Sequence, residues 1–351
     1  MKTLNIFTQQ EDATPQGRAD FLLASGVTRT CEIDGITQAK TPKNIPLIPT
    51  LDGEYIVNEK VFSHEELLQT LGGVPSPALI TRAVHNLNPF SSIELLDLGL
   101  EVKPQNAYLH SFGINPSSCI ATGADIDAKE IFRKGMTFGK NYELKGNHLI
   151  LGQSIPAGTI TAAASCLALG YACKNDFSLG FANEPSSVQA ETVRQAIRLT
   201  NQKMSNFEKL SIVSDNMLLF CAGFLLEASR RFHVVLAGGT QMAACLLIAD
   251  KLREDVLMQL KSENITLATT SWVVNDSSSD IKHLLSLLSY TPHAVYTDFS
   301  FANTEIEILK KYDEGEAKEG VGAGASLAYG LTNGLNNKQI LNEIEILIYS
   351  I

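Results

Sequence analysis

Positive charge is scarce in this sequence. Its 28 Lys and Arg stand against 38 Asp and Glu, a formal net charge of −10. That balance disfavours a nucleic-acid partner, which needs clustered cations to displace counterions from phosphates. No run approaches the roughly 18–20 apolar residues of a membrane span, so no membrane partner is expected. The opening "MKTLNIFTQQEDATPQGR" also lacks the apolar centre of a secretory leader. We therefore expect a soluble cytoplasmic chain whose mature form starts here. Cys31, Cys119, Cys166, Cys173, Cys221 and Cys245 occur singly, with no C-x-x-C pair, and read as buried free thiols in a reducing compartment. The seven histidines show neither H-E-x-x-H nor mixed Cys/His spacing, which leaves a zinc site without support. Internal repeats and low-complexity tracts are missing too.

What is present describes an ordinary folded protein. Hydrophobic residues make up 44% of the 351 and charged residues 19%, enough for one large domain or two smaller ones. Short apolar runs bounded by glycine or polar residues read as strands: "IELLDLGL", "HLILG", "LSIVSD", "HVVLAGG", "ITLATTSW" and "HAVYTDFSF". Between them, "AKEIFRKGMTFGKNYE", "TITAAASCLALGYA", "SSVQAETVRQAIRLTNQ", "DNMLLFCAGFLLEASRR" and "TQMAACLLIADKLREDVLMQL" carry apolar residues at i, i+3 and i+4. The alternation predicts an α/β fold, with a mainly parallel Rossmann-like sheet covered by helices on both faces. Residues 1–90 look different. They hold Pro42, Pro46 and Pro49, a turn-like or hairpin stretch "LDGEYIVNEKVF" and then a helix "SHEELLQTL". We expect them to form a lead-in and smaller subdomain on which a terminal helix at 331–351 packs, with 91–330 as the nucleotide-binding domain.

In open α/β sheets ligands bind outside the carboxyl ends of the strands, where helix starts present N–H groups. Two strand ends fit that role. "LGQSIPAGTITAAA" offers Gly158, Thr159 and Thr161, and "LAGGTQMAA" offers Gly238, Gly239, Thr240 and Gln241. Each could be a plain helix cap, but two such loops together point to phosphate binding. Neither has the lysine of a triphosphate-binding loop. No paired acids precede "AGGT", so a mononucleotide monophosphate fits better than a magnesium-dependent pyrophosphate donor. The third glycine run, Gly320, Gly322 and Gly324 in "KYDEGEAKEGVGAGASLAYG", follows an acidic stretch. That stretch reads as a solvated helix end except at Glu319, which abuts the glycines.

Taken in order, "VPSPALITRAVHN", "LLDLGL", "LGQSIPAGTITAAA", "VVLAGGTQMAA", "ATTSWVVND" and "YDEGEAKEGVGAGAS" resemble the nicotinate-nucleotide–dimethylbenzimidazole phosphoribosyltransferase family, in particular its divergent archaeal and cyanobacterial branch. The similarity runs from about residue 72 to 330. It implies transfer of phosphoribose from nicotinate mononucleotide to an aromatic nitrogen base, giving an α-ribazole phosphate for the lower ligand of cobamides. It also implies a homodimer without metal or cofactor. By this resemblance Glu319 is the catalytic base, Ser76, Pro77 and Thr81 fall in the base pocket, and Gly158, Thr159, Gly238, Gly239 and Thr240 match the mononucleotide loops. The chain departs from the family at Gln153, where a glutamate is usual, and at Thr192 and Arg194, near which the family tends to have a lysine.

Two other readings stay open. Gln153 suggests a nucleotide-binding or regulatory member without turnover. "GVGAGAS" loosely suggests an NAD-dependent dehydrogenase, although no strand precedes it. The acceptor is equally open among benzimidazole, adenine and phenolic rings.

Overall fold

In "ADFLLAS", Ala19, Phe21 and Leu23 pack into one hydrophobic core while Leu22 and Ala24 pack into a second. A strand buried on both faces in this way belongs in the middle of a covered sheet. The computed structural model, which describes residues 1–37, 42–67, 69–70, 72–178 and 187–349, places it there. The strands are β1 (Thr3–Asn5), β2 (Ala19–Ser25), β3 (Ser92–Asp97), β4 (Leu109–Ser111), β5 (His148–Ser154), β6 (Val234–Ala237), β7 (Ile265–Thr270) and β8 (His293–Thr297). They form one eight-stranded sheet in the order β1-β8-β7-β6-β5-β2-β3-β4. β1 runs antiparallel to β8 and the other pairings are parallel.

The order reverses between β2 and β5. From β2 the chain winds outward through β3 and β4, then returns to β5 and winds the other way through β6, β7 and β8. A crevice opens at such a switch point, beyond the carboxyl ends of the flanking strands. Here those ends are Ser25 and Ser154.

Helices α1 (Ile48–Asn58), α2 (Ala78–Leu87), α3 (Ala128–Asn141), α4 (Gly158–Ala168), α5 (Val188–Arg198), α6 (Asn206–Val213) and α7 (Asn216–Ala228) precede β6. Helices α8 (Thr240–Asp255), α9 (Ser271–Val274), α10 (Ile281–Ser286), α11 (Glu307–Lys310), α12 (Ala323–Thr332) and α13 (Asn337–Ile348) follow it. One core lies under α3, α4, α7 and α8, and the other under α1, α2, α12 and α13. Among the described residues, no helix is long and apolar enough to cross a membrane. All six cysteines are free thiols, and all but the half-buried Cys119 are buried.

Three local expectations are corrected. The stretch 51–62 is not a hairpin, because Pro49 sits in the first turn of α1 and seeds a helix. Gly53 lies inside that helix against the Leu95 side chain. The run 63–71 is not a helix over its described residues, and Leu68 and Leu71 lie outside them. The N–H groups of Phe62 and Ser63 donate instead to the Glu54 carboxylate, at 2.7 and 3.0 Å. "LSIVSD" is not a strand either. A capping box of Ser205 and Glu208 starts α6, whose Leu210 and Val213 bury one helical face. β2 itself lay within the segment read as an irregular lead-in, so the sheet draws on both sides of residue 90.

Helices α3 and α7 meet through glycine. A Cβ at Gly223 would stand 2.1 Å from the Phe132 carbonyl oxygen, and one at Gly135 2.0 Å from that of Phe220. Backbone cannot yield as a flexible side chain can, so Gly223→Ala should cost about 1–3 kcal/mol or more. A lowered midpoint of thermal unfolding checks this, and an unchanged midpoint would mean that the helices slide apart freely.

Candidate active site

At the switch point the chain builds two adjoining chambers. The first, about 280 Å3, is walled largely by Leu51, Leu67, Val74, Pro75, Ile155 and Val321. The second, about 360 Å3, is walled by polar groups that include Thr159, Gly239, Thr240, Asp276 and Lys318. Thr37, Gln153, Ala157, Gln241 and Glu319 line both. A molecule in either chamber therefore meets the same partition.

Glu319 is fixed from two directions. Its Oε1 accepts from the N–H groups of Gly320 and Gly324, each at 3.1 Å, and its Oε2 accepts from Thr269 Oγ1 at 3.2 Å. Gly324 lies in the first turn of α12, where unpaired N–H groups and the helix dipole favour an anion. Burial acts against the charge and prevails. It pushes the carboxyl up to about 7, despite the hydrogen bonds from Gly324, Gly320 and Thr269 that favour ionisation. Such a group can take a proton and release it near neutrality. Gly324 is needed for the approach, since a Cβ there would lie 2.4 Å from the Thr269 backbone.

The run after Glu319 is unusual. Val321 has φ 51° and Gly322 φ 81°, and a β-branched residue rarely adopts the left-handed region. Two bonds hold it. Val321 N donates to Gln153 O at 2.9 Å, and Thr81 Oγ1 donates to Val321 O at 2.7 Å. The strap thereby joins the end of β5 to α2 and α12.

The expected binding residues divide. Ser76 and Pro77 line the apolar chamber, as does Gly320. Thr159, Gly239, Thr240 and Gln241 line the polar one. α8 begins at that wall, where Met242 N and Ala243 N turn back to the Gly239 carbonyl and the N–H groups of Thr240 and Gln241 precede the first helical bonds. Gln241 Nε2 donates to Thr159 Oγ1 at 3.1 Å, while its buried Oε1 has no partner. Gly158, Thr161, Gly238, Gly322 and Thr81 line neither chamber. Their work is internal. Thr161 is fully buried and bonds the Asp215 carboxylate at 2.5 Å, Gly158 leaves room for Gln241, and Gly238 leaves room for Met242. Thr192 bonds the Val188 carbonyl, and Arg194 pairs with Glu191.

Sequence reasoning missed three groups. Lys318 Nζ sits 2.7 Å from Asp276 Oδ2 in the polar chamber. Burial opposes the Asp276 carboxylate, but Lys318 and Ser278 outweigh it and hold the carboxyl below its usual range. Ser154, the last residue of β5, and Asp52, on α1, line the apolar chamber. Asp52 Oδ1 accepts from Ser76 Oγ at 2.5 Å, and Oδ2 accepts from Ser154 Oγ at 2.6 Å. Burial lifts this carboxyl to about 6 against those two bonds. Its signal was an acid inside the apolar helix "IPTLDGEYIV".

No family model matches the chain. A crystal structure of a nicotinate-nucleotide–dimethylbenzimidazole phosphoribosyltransferase from Thermus thermophilus superposes with a TM-score of 0.60 at 17% identity, covering 95% of this chain and 83% of that one. A structure of CobT from the same organism gives 0.57 at 16%, covering 95% and 84%. The chain thus has the α/β fold of those transferases. Among curated proteins it is 33% identical over 347 residues to the UPF0284 protein of Sulfurisphaera tokodaii, covering 98% of this chain and 96% of that protein. It is also 33% identical over 334 residues to the UPF0284 protein of Methanocaldococcus jannaschii, covering 91% and 92%. The chain belongs to the UPF0284 family, a divergent branch on the transferase fold.

The strap yields a test that needs no substrate. Thr81→Val keeps the side-chain shape but strands the buried Val321 carbonyl, which should cost about 1–3 kcal/mol. Thermal unfolding would read this as a lower midpoint, and a variant as stable as the parent would remove Thr81 from the account of the strap.

Proposed function

We propose that this protein transfers phosphoribose from nicotinate mononucleotide to an aromatic nitrogen base, releasing nicotinate and forming an α-ribazole phosphate. The observation that carries the reading is the shared partition. A polar chamber with a helix start and Lys318 suits a mononucleotide, an apolar chamber suits a flat base, and Glu319 lies on the wall of both. The fold shared with the transferases supports it.

In this mechanism the nucleotide phosphate sits against the first turn of α8, where N–H groups receive an anion without a metal. The glycosidic bond to the pyridinium nitrogen breaks and its electron pair returns to the departing nicotinate, which needs no proton. The unprotonated ring nitrogen of the incoming azole uses its lone pair to form the new bond to C1 from the opposite face. The proton on the other ring nitrogen then passes to Glu319, whose buried carboxylate has the affinity to take it, and the ring is left neutral. By analogy with the family the working unit is a homodimer.

The test is nicotinate release from nicotinate mononucleotide, followed by chromatography with a panel of bases. Glu319→Gln should lower kcat by about 10²-fold or more. Because only ionised Glu319 accepts a proton, and burial raises its pKa to about 7, kcat/KM should climb as pH rises through 7 and fall on the acid side. A variant that keeps its turnover, or a profile flat from pH 5 to 9, would remove Glu319 as the base. If no base elicits nicotinate release while the mononucleotide still binds, the protein is a nucleotide-binding member without turnover.

Gln153 sets the second expectation. A glutamate there could stabilise positive charge developing on the ribose, where the amide offers only a dipole. Gln153→Glu should raise the plateau kcat roughly tenfold, about 1.4 kcal/mol of barrier. Gln153 and Glu319 line the same chambers, so the added charge should also move the rise in activity to higher pH. A variant no faster at any pH would show that position 153 plays no electrostatic part.

A further inference from the structure

The apolar chamber contains a second carboxylate that proton abstraction does not use. Asp52 is only 2% exposed and lines the cavity together with Glu319. Among the described residues no Lys, Arg or His forms an ion pair with it. Two serine hydroxyls are its hydrogen-bond partners, one on each oxygen. An ionised carboxylate has about four acceptor sites, so each oxygen retains one. A group of this kind is costly in an apolar wall, because buried charge needs a partner that offsets its lost hydration. Within the fold the site is well built. Ser154 ends β5 beside the partition, and Ser76 Oγ also accepts from the Ala78 N–H at the start of α2, so both hydroxyls are positioned by secondary structure. Burial keeps the carboxyl's pKa near 6, and it is mostly ionised at neutral pH.

Resting on the phosphoribosyltransferase reading above, we propose that Asp52 is a specificity-determining residue. It selects an acceptor azole whose fused six-membered ring carries a second hydrogen-bond donor, an amino or hydroxyl group. One donor, the azole N–H, faces Glu319, and the exocyclic donor faces Asp52. A wholly apolar base would bury the carboxylate without replacing its water. The acceptor class then narrows from any flat aromatic nitrogen base to donor-bearing ones such as 6-aminopurine or 5-hydroxybenzimidazole.

Matched pairs test this with the full chain: adenine against purine, and 5-hydroxybenzimidazole against benzimidazole. Each pair is measured as kcat/KM for nicotinate release and as retention of the base in equilibrium dialysis with the mononucleotide present. The donor-bearing member should be preferred by about tenfold to a hundredfold, the scale of a hydrogen bond to a charged group. Asp52→Asn, which has a single acceptor oxygen, should shrink the preference to about threefold or less. Ile48→Val, which trims the wall of the same chamber and keeps the carboxylate with both serines, should preserve it. Equal handling of the pairs by the wild-type chain would overturn the inference while leaving the transferase reading intact. Loss of preference in Ile48→Val as well as Asp52→Asn would also overturn it, because general damage to the chamber would then explain both. Failure to release nicotinate with any base would instead defeat the transferase reading, and dialysis would still decide the role of Asp52.

Discussion

The carboxylate of Glu319 is held by N–H groups and a hydroxyl, with no cation among its bonds, and the rest of the site follows from that. Arg or Lys in their place would keep it ionised well below neutrality. Dipoles compensate less than a full charge does, so burial prevails and the group titrates near neutrality. To bring Gly320 and Gly324 onto one oxygen, the backbone between them must curl tightly. It does so by placing Val321 and Gly322 in the left-handed region. The conformation persists because Gln153 and Thr81 take up both polar groups of the Val321 backbone. Strain of this kind survives only where its surroundings over-determine it.

The same strap divides the crevice. Val321 faces the apolar chamber, Lys318 lies two positions before Gly320 in the polar one, and Glu319 borders both. One short segment therefore puts an apolar wall and a polar wall on separate sides of a single carboxylate. Buried carboxylates at Glu319 and Asp52, bonded to dipoles in place of a cation, work against stability because burial outweighs those bonds. Two cores, one on each sheet face, supply the burial that tolerates them.

The fold class was legible because β5, β6, β7 and β8 are apolar runs bounded by glycine, threonine or serine, and β5 and β6 lead directly into the apolar helices α4 and α8. The first ninety residues were not. "ADFLLAS" contains Asp20 and sits among prolines and turn-forming residues, so its place in the centre of the sheet is set by pairing with β3 and β5. Asp20 is satisfied only by distant groups, the N–H groups of Lys145 and Gly146 and the Tyr142 hydroxyl. No local pattern could announce those partners. Helix α1 was hidden for a similar reason. Its buried Glu54 caps the following loop and the N–H of Gln105, while Asp52 reaches serines 24 and 102 positions away.

The glycine loops show where local pattern reading ends. "PAGTIT" and "AGGTQM" look alike as sequences, and each begins a helix at a strand end, yet they are used differently. Gly239 and Thr240 open on the polar chamber. Gly158 is covered, for a Cβ there would meet Gln241 Oε1 at 2.8 Å, and the helix it begins presents Thr159 to Gln241 instead. The first loop thus orients a side chain that the second loop contributes. That asymmetry leaves β5 free to contribute its other residues, Gln153 and Ser154, to the partition and to Asp52. The end of β5 joins the strap, the carboxylate of α1 and both chambers: the Gln153 carbonyl accepts from Val321 N, the Ser154 hydroxyl donates to Asp52, and Gln153 lines the polar chamber as well as the apolar one.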